Sequence, residues 1–301
     1  MKVIKNVSLI GLGALGIMYS DHIAKKIPYE NLRVIVDEER LNRYRSAGIY
    51  CNEDKCDFNY VTPEMDVEPA DLLIFAVKYM NLEEAIRSAS KHVSKDTIIL
   101  SVLNGVVSET DIGNVYGHEH NLYCVAQGMT ALKEGNKMAF IQKGILCFGE
   151  LDEEINSEKV ERLKNFFDKI EMPYEINNQM KTKLWSKLLA NVGINQTVAY
   201  YETTNRGIQE PGEMRDLMIS AMKEVLLVAE CEKVNLTYDD ISYWLDVIAT
   251  LEPNGMPSMA QDVKAGRNTE VELFAGTMVK LARKHNLDLP VNQMFYDYFG
   301  K

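Results

Sequence analysis

The 301-residue chain has no C-x-x-C pair, no basic tract, no low-complexity tail and no internal repeat. Each absence removes a class of protein. The five cysteines, Cys51, Cys56, Cys124, Cys147 and Cys231, are scattered and odd in number, which argues against a disulfide framework or a zinc site. A net charge of −11 leaves nothing to neutralise phosphates in bulk, so neither nucleic acid nor an anionic membrane is expected as a partner. The first apolar run follows Lys2 and Lys5 and ends at a glycine turn, well short of a signal or membrane helix, so a cytoplasmic protein is expected. His118-Glu119-His120 places two imidazoles two residues apart in a polar stretch with no third ligand; it reads as a solvated loop, and no metal is expected.

What is present begins with Val7-Ser8-Leu9-Ile10, a short apolar run that meets Gly11-Leu12-Gly13-Ala14-Leu15-Gly16 and passes into a helix-forming segment. Strand, G-x-G-x-x-G and helix in that order form a dinucleotide-binding signature. Gly11 permits the tight turn, Gly13 lets a pyrophosphate approach the backbone, and Gly16 lets helix and strand pack closely, while the helix N-terminus offers N–H groups and partial positive charge. A second apolar run, Leu32–Val36, ends at Asp37, 21 residues beyond Gly16, where a ribose-binding acid belongs in a βαβ unit.

Further along, Asp71–Lys78 is nearly continuous in apolar residues, as expected of a central parallel strand. An amphipathic helix over 81–92 and a buried strand over 97–101 follow, the latter emptying into Leu103-Asn104-Gly105 at the carboxyl end of the sheet. Strands are expected at 122–126, 138–142, 145–149 and 173–176, with a helix at 157–169. Beyond Asn177 the strand signal ends, and helices are expected at 180–199, 212–233, 238–250, 258–265 and 270–285. The pattern predicts an α/β fold: a Rossmann-type dinucleotide-binding domain over 1–177, then an all-helical substrate and catalytic domain over 178–301. A cleft between the two is the default substrate site.

Within the predicted helix 180–199, Lys187, Asn191 and Asn195 recur every four residues and so share one stripe on an otherwise apolar surface. Polar groups in that position are costly unless they face something polar, which a ligand site supplies. Ser258 with Gln261 fits a capping box, and the same helix N-terminus suits a carboxylate ligand. Glu270 falls near the start of the last expected helix, where the macrodipole favours an acid in any protein.

In order and spacing, these stretches resemble the ketopantoate reductase family (2-dehydropantoate 2-reductases) over almost the whole chain. The resemblance is carried by the glycine turn, Ala76-Val77-Lys78, Leu103-Asn104-Gly105, Lys187-x3-Asn191-x3-Asn195, Ser258-Met259-x-Gln261-Asp262 with Thr269-Glu270, and Leu289-Pro290-Val291-Asn292. It implies reduction of the C2 ketone of ketopantoate to (R)-pantoate, on the way to pantothenate. By the same resemblance, Lys187 takes the place of the general acid and Glu270 that of its partner carboxylate. Asn104, Asn191, Asn195, Ser258 and Asn205 take substrate-binding or cleft positions. Gly11 to Gly16, Asp37, Lys78 and Asn104 take cofactor-facing ones. Residue chemistry agrees, since hydride addition to a ketone builds negative charge on oxygen and calls for a proton donor within a fixed positive field.

The chain departs from the family at three places. Asp37 stands where many relatives carry an arginine for the 2′-phosphate of NADPH; a carboxylate there bonds the ribose diol and repels a phosphate, favouring NADH against the family's usual NADPH. Arg40, Arg43 and Arg45 are close enough in sequence to offset that. Asn81 replaces a frequent glutamine, and Asn254 lies four residues before Ser258 where relatives place an asparagine three before. Two alternatives stay open on the sequence: another NAD(P)-dependent 2-hydroxyacid or opine-type dehydrogenase, and a non-catalytic nucleotide-sensing protein. Apolar surface on the helical half allows a homodimer.

Overall fold

The computed structural model describes residues 2–151 and 157–300. It divides into two compact units: one of residues 1–103 and 108–180, the other of 104–107 and 181–301.

The first unit is built on two sheets. The larger contains β1 (Val7–Ile10), β2 (Leu32–Ile35), β5 (Asn59–Val61), β6 (Leu72–Phe75), β7 (Ile98–Ser101), β8 (Asn121–Gln127), β11 (Ile145–Gly149) and β12 (Tyr174–Ile176), in the order β12-β11-β8-β7-β6-β1-β2-β5. From β5 to β8 every pairing is parallel. These six strands have the 3-2-1-4-5-6 order of a dinucleotide-binding fold, whose switch point lies where β1 meets β6. β1, β2, β6 and β7 are buried along their full length, as strands covered on both faces must be. β11 turns the far edge antiparallel against β8.

The smaller sheet, β4 (Asp54–Cys56), β3 (Ile49–Cys51), β10 (Lys137–Gln142) and β9 (Thr130–Glu134), pairs two hairpins edge to edge. Helix α1 (Ala14–Ala24) packs on β1 and β2 and also on β3, β9 and β10, which is why it buries residues on nearly every side. β3, β4, β5 and β9 escape sequence reasoning because they are only three to five residues long, and β4, β5 and β9 include polar residues. The β3–β4 turn is made by Asn52 and Glu53, both at positive φ, without the glycine that usually marks such a hairpin. Helices α2 (Glu38–Ala47), α3 (Leu82–Ser88), α4 (Ser108–Tyr116) and α5 (Glu158–Ile170) complete the unit. The expected helix over 81–92 is α3 flanked by two 3₁₀ turns.

In the second unit the described residues form no strand. Helices α6 (Met180–Ala190), α7 (Gln196–Tyr200), α8 (Arg206–Gln209), α9 (Glu213–Cys231), α10 (Tyr238–Thr250), α11 (Ser258–Lys264), α12 (Thr277–His285) and α13 (Pro290–Phe299) surround a core that includes Leu188, Val192, Met218, Met222, Val225, Phe274, Met278 and Phe295. The chain passes for the last time from the first unit to the second between Met180 and Lys181, three residues past the composition shift at Asn177. Asn177 and Met180 remain with the first unit because both pack on Gly149, where Asn177 also donates its N–H to Phe148 O at 3.0 Å.

Two helices expected as continuous are interrupted. Between α6 and α7 runs a π-helical turn, Asn191–Asn195, and before α12 another, Glu272–Gly276. At the centre of the first, a Cβ on Gly193 would lie 2.6 Å from Met222 Cγ, so α9 approaches where only glycine fits. The closing Leu289–Asn292 motif also has a structural reason. The buried Glu224 carboxylate accepts from the Val291 and Asn292 N–H groups, each at 2.8 Å, and so caps α13.

Candidate active site

The glycine turn lies at the carboxyl end of β1, beside the carboxyl end of β6. Gly11 has φ +102°, and a Cβ there would meet Ala76 O at 2.6 Å. A Cβ on Gly16 would sit 1.8 Å from Gly11 O. At Gly13 the nearest atom would be 3.7 Å away, an ordinary contact, and the backbone angles suit any residue. The protein itself therefore requires glycine at 11 and 16 but not at 13. The space at 13 opens onto the N-terminus of α1, which has no side-chain cap and no acid in its first turn. That combination suits a pyrophosphate seated on the Leu12, Ala14 and Leu15 segment. Lys78 follows Ala76 by two residues and opens a 3₁₀ turn.

Asp37 ends the Val36 stretch and serves as the N-cap of α2, its Oδ1 accepting from Arg40 N at 2.6 Å. Its other oxygen pairs with the Arg40 guanidinium, both side chains remaining about two-fifths exposed. The sequence sets Asp37, on a ribose diol, against Arg40, Arg43 and Arg45, on a 2′-phosphate. In the structure Asp37 and Arg40 are bonded partners.

In the second unit, the Lys187 ammonium lies 5.7 Å from the centroid of the Trp244 ring. The indole N–H of Trp244 is anchored on Ser186 Oγ at 3.1 Å. Among the described residues no carboxylate pairs with Lys187. Burial, with the Lys183 charge adding to it, holds its pKa below the usual lysine value.

Four residues on, a relay of amides begins. Met259 N and Ser258 Oγ both donate to Asn195 Oδ1, at 3.2 and 3.1 Å. A backbone N–H only donates, so this contact fixes which end of the Asn195 amide is oxygen. Its nitrogen then donates to Asn191 Oδ1 at 3.1 Å, and Asn191 is left with a buried NH₂ that no atom of the described residues accepts. Such an orphaned donor fits an incoming carboxylate or hydroxyl oxygen. The capping-box reading of Ser258 and Gln261 is corrected here. Pro257 is the N-cap of α11, Ser258 is its first residue, and Asn195 takes the Met259 N–H that a capping side chain would have taken. Gln261 turns instead to Met256 O at 2.9 Å.

Asn104 Nδ2 donates to Glu270 Oε2 at 3.0 Å, joining residues 166 positions apart. Glu270 precedes the second π-turn instead of opening a regular helix. Its distance along the chain from Ser258 is shaped by Arg267, which folds back so that its Nε bonds Asp262 Oδ1 at 2.8 Å and its N–H bonds Asp262 O at 2.9 Å. Asn205 is not joined to the relay. Its amide donates to Glu252 O and its backbone N–H to Gly255 O, fastening the turn that leads into Pro257, and its buried Oδ1 has no donor among the described residues. Sequence reasoning missed Trp244 and Gln196, which bond Ser186 and Ala275, 58 and 79 positions away, and leave no periodic trace.

The first unit has the fold of the dinucleotide-binding oxidoreductases. Residues 7–153 match the model of the ketopantoate reductase family described as Ketopantoate reductase PanE/ApbA, and residues 179–301 match that of its C-terminal domain. The chain belongs to the ketopantoate reductase family. It is 23% identical over 296 residues to the 2-dehydropantoate 2-reductase of Salmonella typhimurium, an alignment covering 97% of this chain and 93% of the relative. The structure of a dimeric ketopantoate reductase from Staphylococcus aureus superposes with a TM-score of 0.80 at 21% identity, covering 98% and 97% of the two chains. D-mandelate dehydrogenase in complex with NADH and anilino(oxo)acetate superposes at 0.85 with 18% identity, covering 97% and 96%. At these identities the two structural likenesses bear on the fold alone.

Proposed function

We propose that the protein reduces the C2 ketone of ketopantoate to (R)-pantoate, using a dihydronicotinamide dinucleotide held at the glycine turn. The observation that carries this reading is Lys187: a half-buried lysine whose ammonium has no carboxylate partner among the described residues, on the same helical run as an Asn191 amide with unspent hydrogens, at the positions the family uses. The bound dinucleotide supplies the hydride. Lys187 holds a positive charge toward the developing alkoxide and donates the proton, and its lowered pKa brings that donation closer to neutrality. Asn191 Nδ2 takes a carboxylate or hydroxyl oxygen of the keto acid, oriented by Asn195 and Ser258. Glu270, fixed by Asn104, accepts a substrate hydroxyl and orients the reacting oxygen. A panel of 2-keto acids tests the substrate: ketopantoate is expected to have the highest kcat/KM, and a clear preference for an aromatic or unbranched keto acid would overturn the assignment.

The coenzyme preference follows from Asp37. Its carboxylate is fixed at the N-cap of α2 and ion-paired with Arg40, at the position where a ribose-binding acid belongs, so NADH is expected to have the higher kcat/KM. Asp37→Asn keeps an N-cap oxygen and removes the charge, and the ratio of NADH to NADPH efficiency should fall about tenfold, since one lost charge contact is on the order of 1.4 kcal/mol. An unchanged ratio would remove Asp37 from coenzyme selection.

A pH effect follows from Lys183. Lys187 must be protonated to act, so activity is present below its pKa and lost as pH rises through it. The Lys183 charge lowers that pKa. Lys183→Met should therefore move the alkaline limb of kcat to higher pH, and a limb that stays in place or moves down contradicts the assignment of that limb to Lys187.

A further inference from the structure

We propose that Gln196 is a positioning residue for this reaction, its side-chain amide tying together the two π-turns from which the amide relay and Glu270 are held. The inference rests on the functional reading above. Gln196 is completely buried. Its Nε2 donates to Val192 O at 3.0 Å, inside the π-turn that contains Asn191 and Asn195. Its Oε1 accepts from Ala275 N at 3.0 Å, inside the π-turn that follows Glu270. Both partners are backbone groups of fixed polarity, so the orientation of the amide is determined.

Each π-turn shifts the helical hydrogen bonds to i→i+5 and leaves backbone groups without their regular partners. Gln196 satisfies one in each turn with a single side chain. The second turn reaches the site by two short links: Leu273 N donates to Glu270 O at 2.9 Å, and the Leu273 side chain lies against Gly105, next to Asn104. On the first side Gln196 directly follows Asn195, the centre of the relay. An apolar side chain of similar volume would fill the same space. The amide is needed only where the two irregular turns must keep one relative register, and that register sets where Asn191 stands with respect to Glu270.

The test compares Gln196→Met, which keeps the volume and loses both hydrogen bonds, with Gln196→Glu, whose protonated carboxyl can make both. Turnover of ketopantoate is measured across pH, well below the melting temperature, alongside the coenzyme Kd. For Gln196→Met, kcat should fall by about ten- to a hundredfold, the cost of a misplacement near 1 Å. KM should rise much less, and the coenzyme Kd should not change. Gln196→Glu should stay close to wild-type turnover at acidic pH. Turnover in Gln196→Met within twofold of wild type overturns the proposal, as does a Gln196→Glu variant impaired as deeply as Gln196→Met at every pH. If Gln196→Met does not fold, the Gln196→Glu comparison with wild type decides alone, a tenfold loss at acidic pH being the contrary result. Wild-type enzyme inactive on every 2-keto acid would instead overturn the functional reading, and this inference with it.

Discussion

Lys187→Ala is expected to lower kcat by about two to four orders of magnitude, the range supplied by a positioned acid–base group. Coenzyme affinity should be unaffected, because the glycine turn and Asp37 belong to the other unit of the chain. What surrounds the ammonium makes it available for proton transfer. A carboxylate partner would raise the lysine pKa and cancel its field. The Trp244 face favours the cation by only about 0.5–2 kcal/mol, so it raises the pKa far less, and it leaves the field of the charge uncancelled. Lys187→Arg separates the two contributions of the side chain. A guanidinium preserves positive charge but does not release a proton at accessible pH, so substrate binding should survive better than turnover. Near-normal kcat in Lys187→Ala would remove the residue from the chemistry.

A second large effect is expected at the glycine turn, where two substitutions of the same kind should fail differently. Gly16→Ala places a methyl 1.8 Å from the Gly11 carbonyl oxygen. Backbone must move to admit it, at a cost of about 3 kcal/mol or more, the upper end of overpacking. The melting temperature should fall on the order of 10 °C. Gly13→Ala meets nothing closer than 3.7 Å and needs no unusual backbone angles. Its melting temperature should stay close to that of the wild type. The same methyl occupies the path of the pyrophosphate, so coenzyme affinity should drop about ten- to a hundredfold if the clash costs 1.4–2.8 kcal/mol. Thermal melts and coenzyme titrations of the two variants check both halves. Unimpaired coenzyme binding in Gly13→Ala would show that the phosphates lie elsewhere.

Much of the first unit is legible because each of its features is local. The glycine turn, Asp37 and the apolar strands β1, β2, β6 and β7 all announce themselves within a few residues, and the parallel order follows from their alternation with helices. The short strands of the second sheet are not legible, since three residues of mixed polarity have no period to read. The stripe of Lys187, Asn191 and Asn195 was found by assuming a straight helix. A π-turn runs through its second half, yet Asn191 and Asn195 still meet, because the i and i+4 side chains remain within hydrogen-bond reach. What sequence spacing leaves hidden is the partner of each group. That Asn195 caps α11, that Asn104 holds Glu270, and that Gln196 joins two π-turns are facts of tertiary packing between residues 64, 166 and 79 positions apart. Asp37 shows the opposite case: its neighbour Arg40 was visible, but only the structure shows the two bonded to each other instead of competing for a ligand.

The most direct test of the account is an assay of the purified wild-type protein with ketopantoate and either NADH or NADPH, following coenzyme oxidation and identifying the product. The account predicts stoichiometric formation of (R)-pantoate with a higher kcat/KM for NADH. Tight coenzyme binding without oxidation by ketopantoate would contradict it.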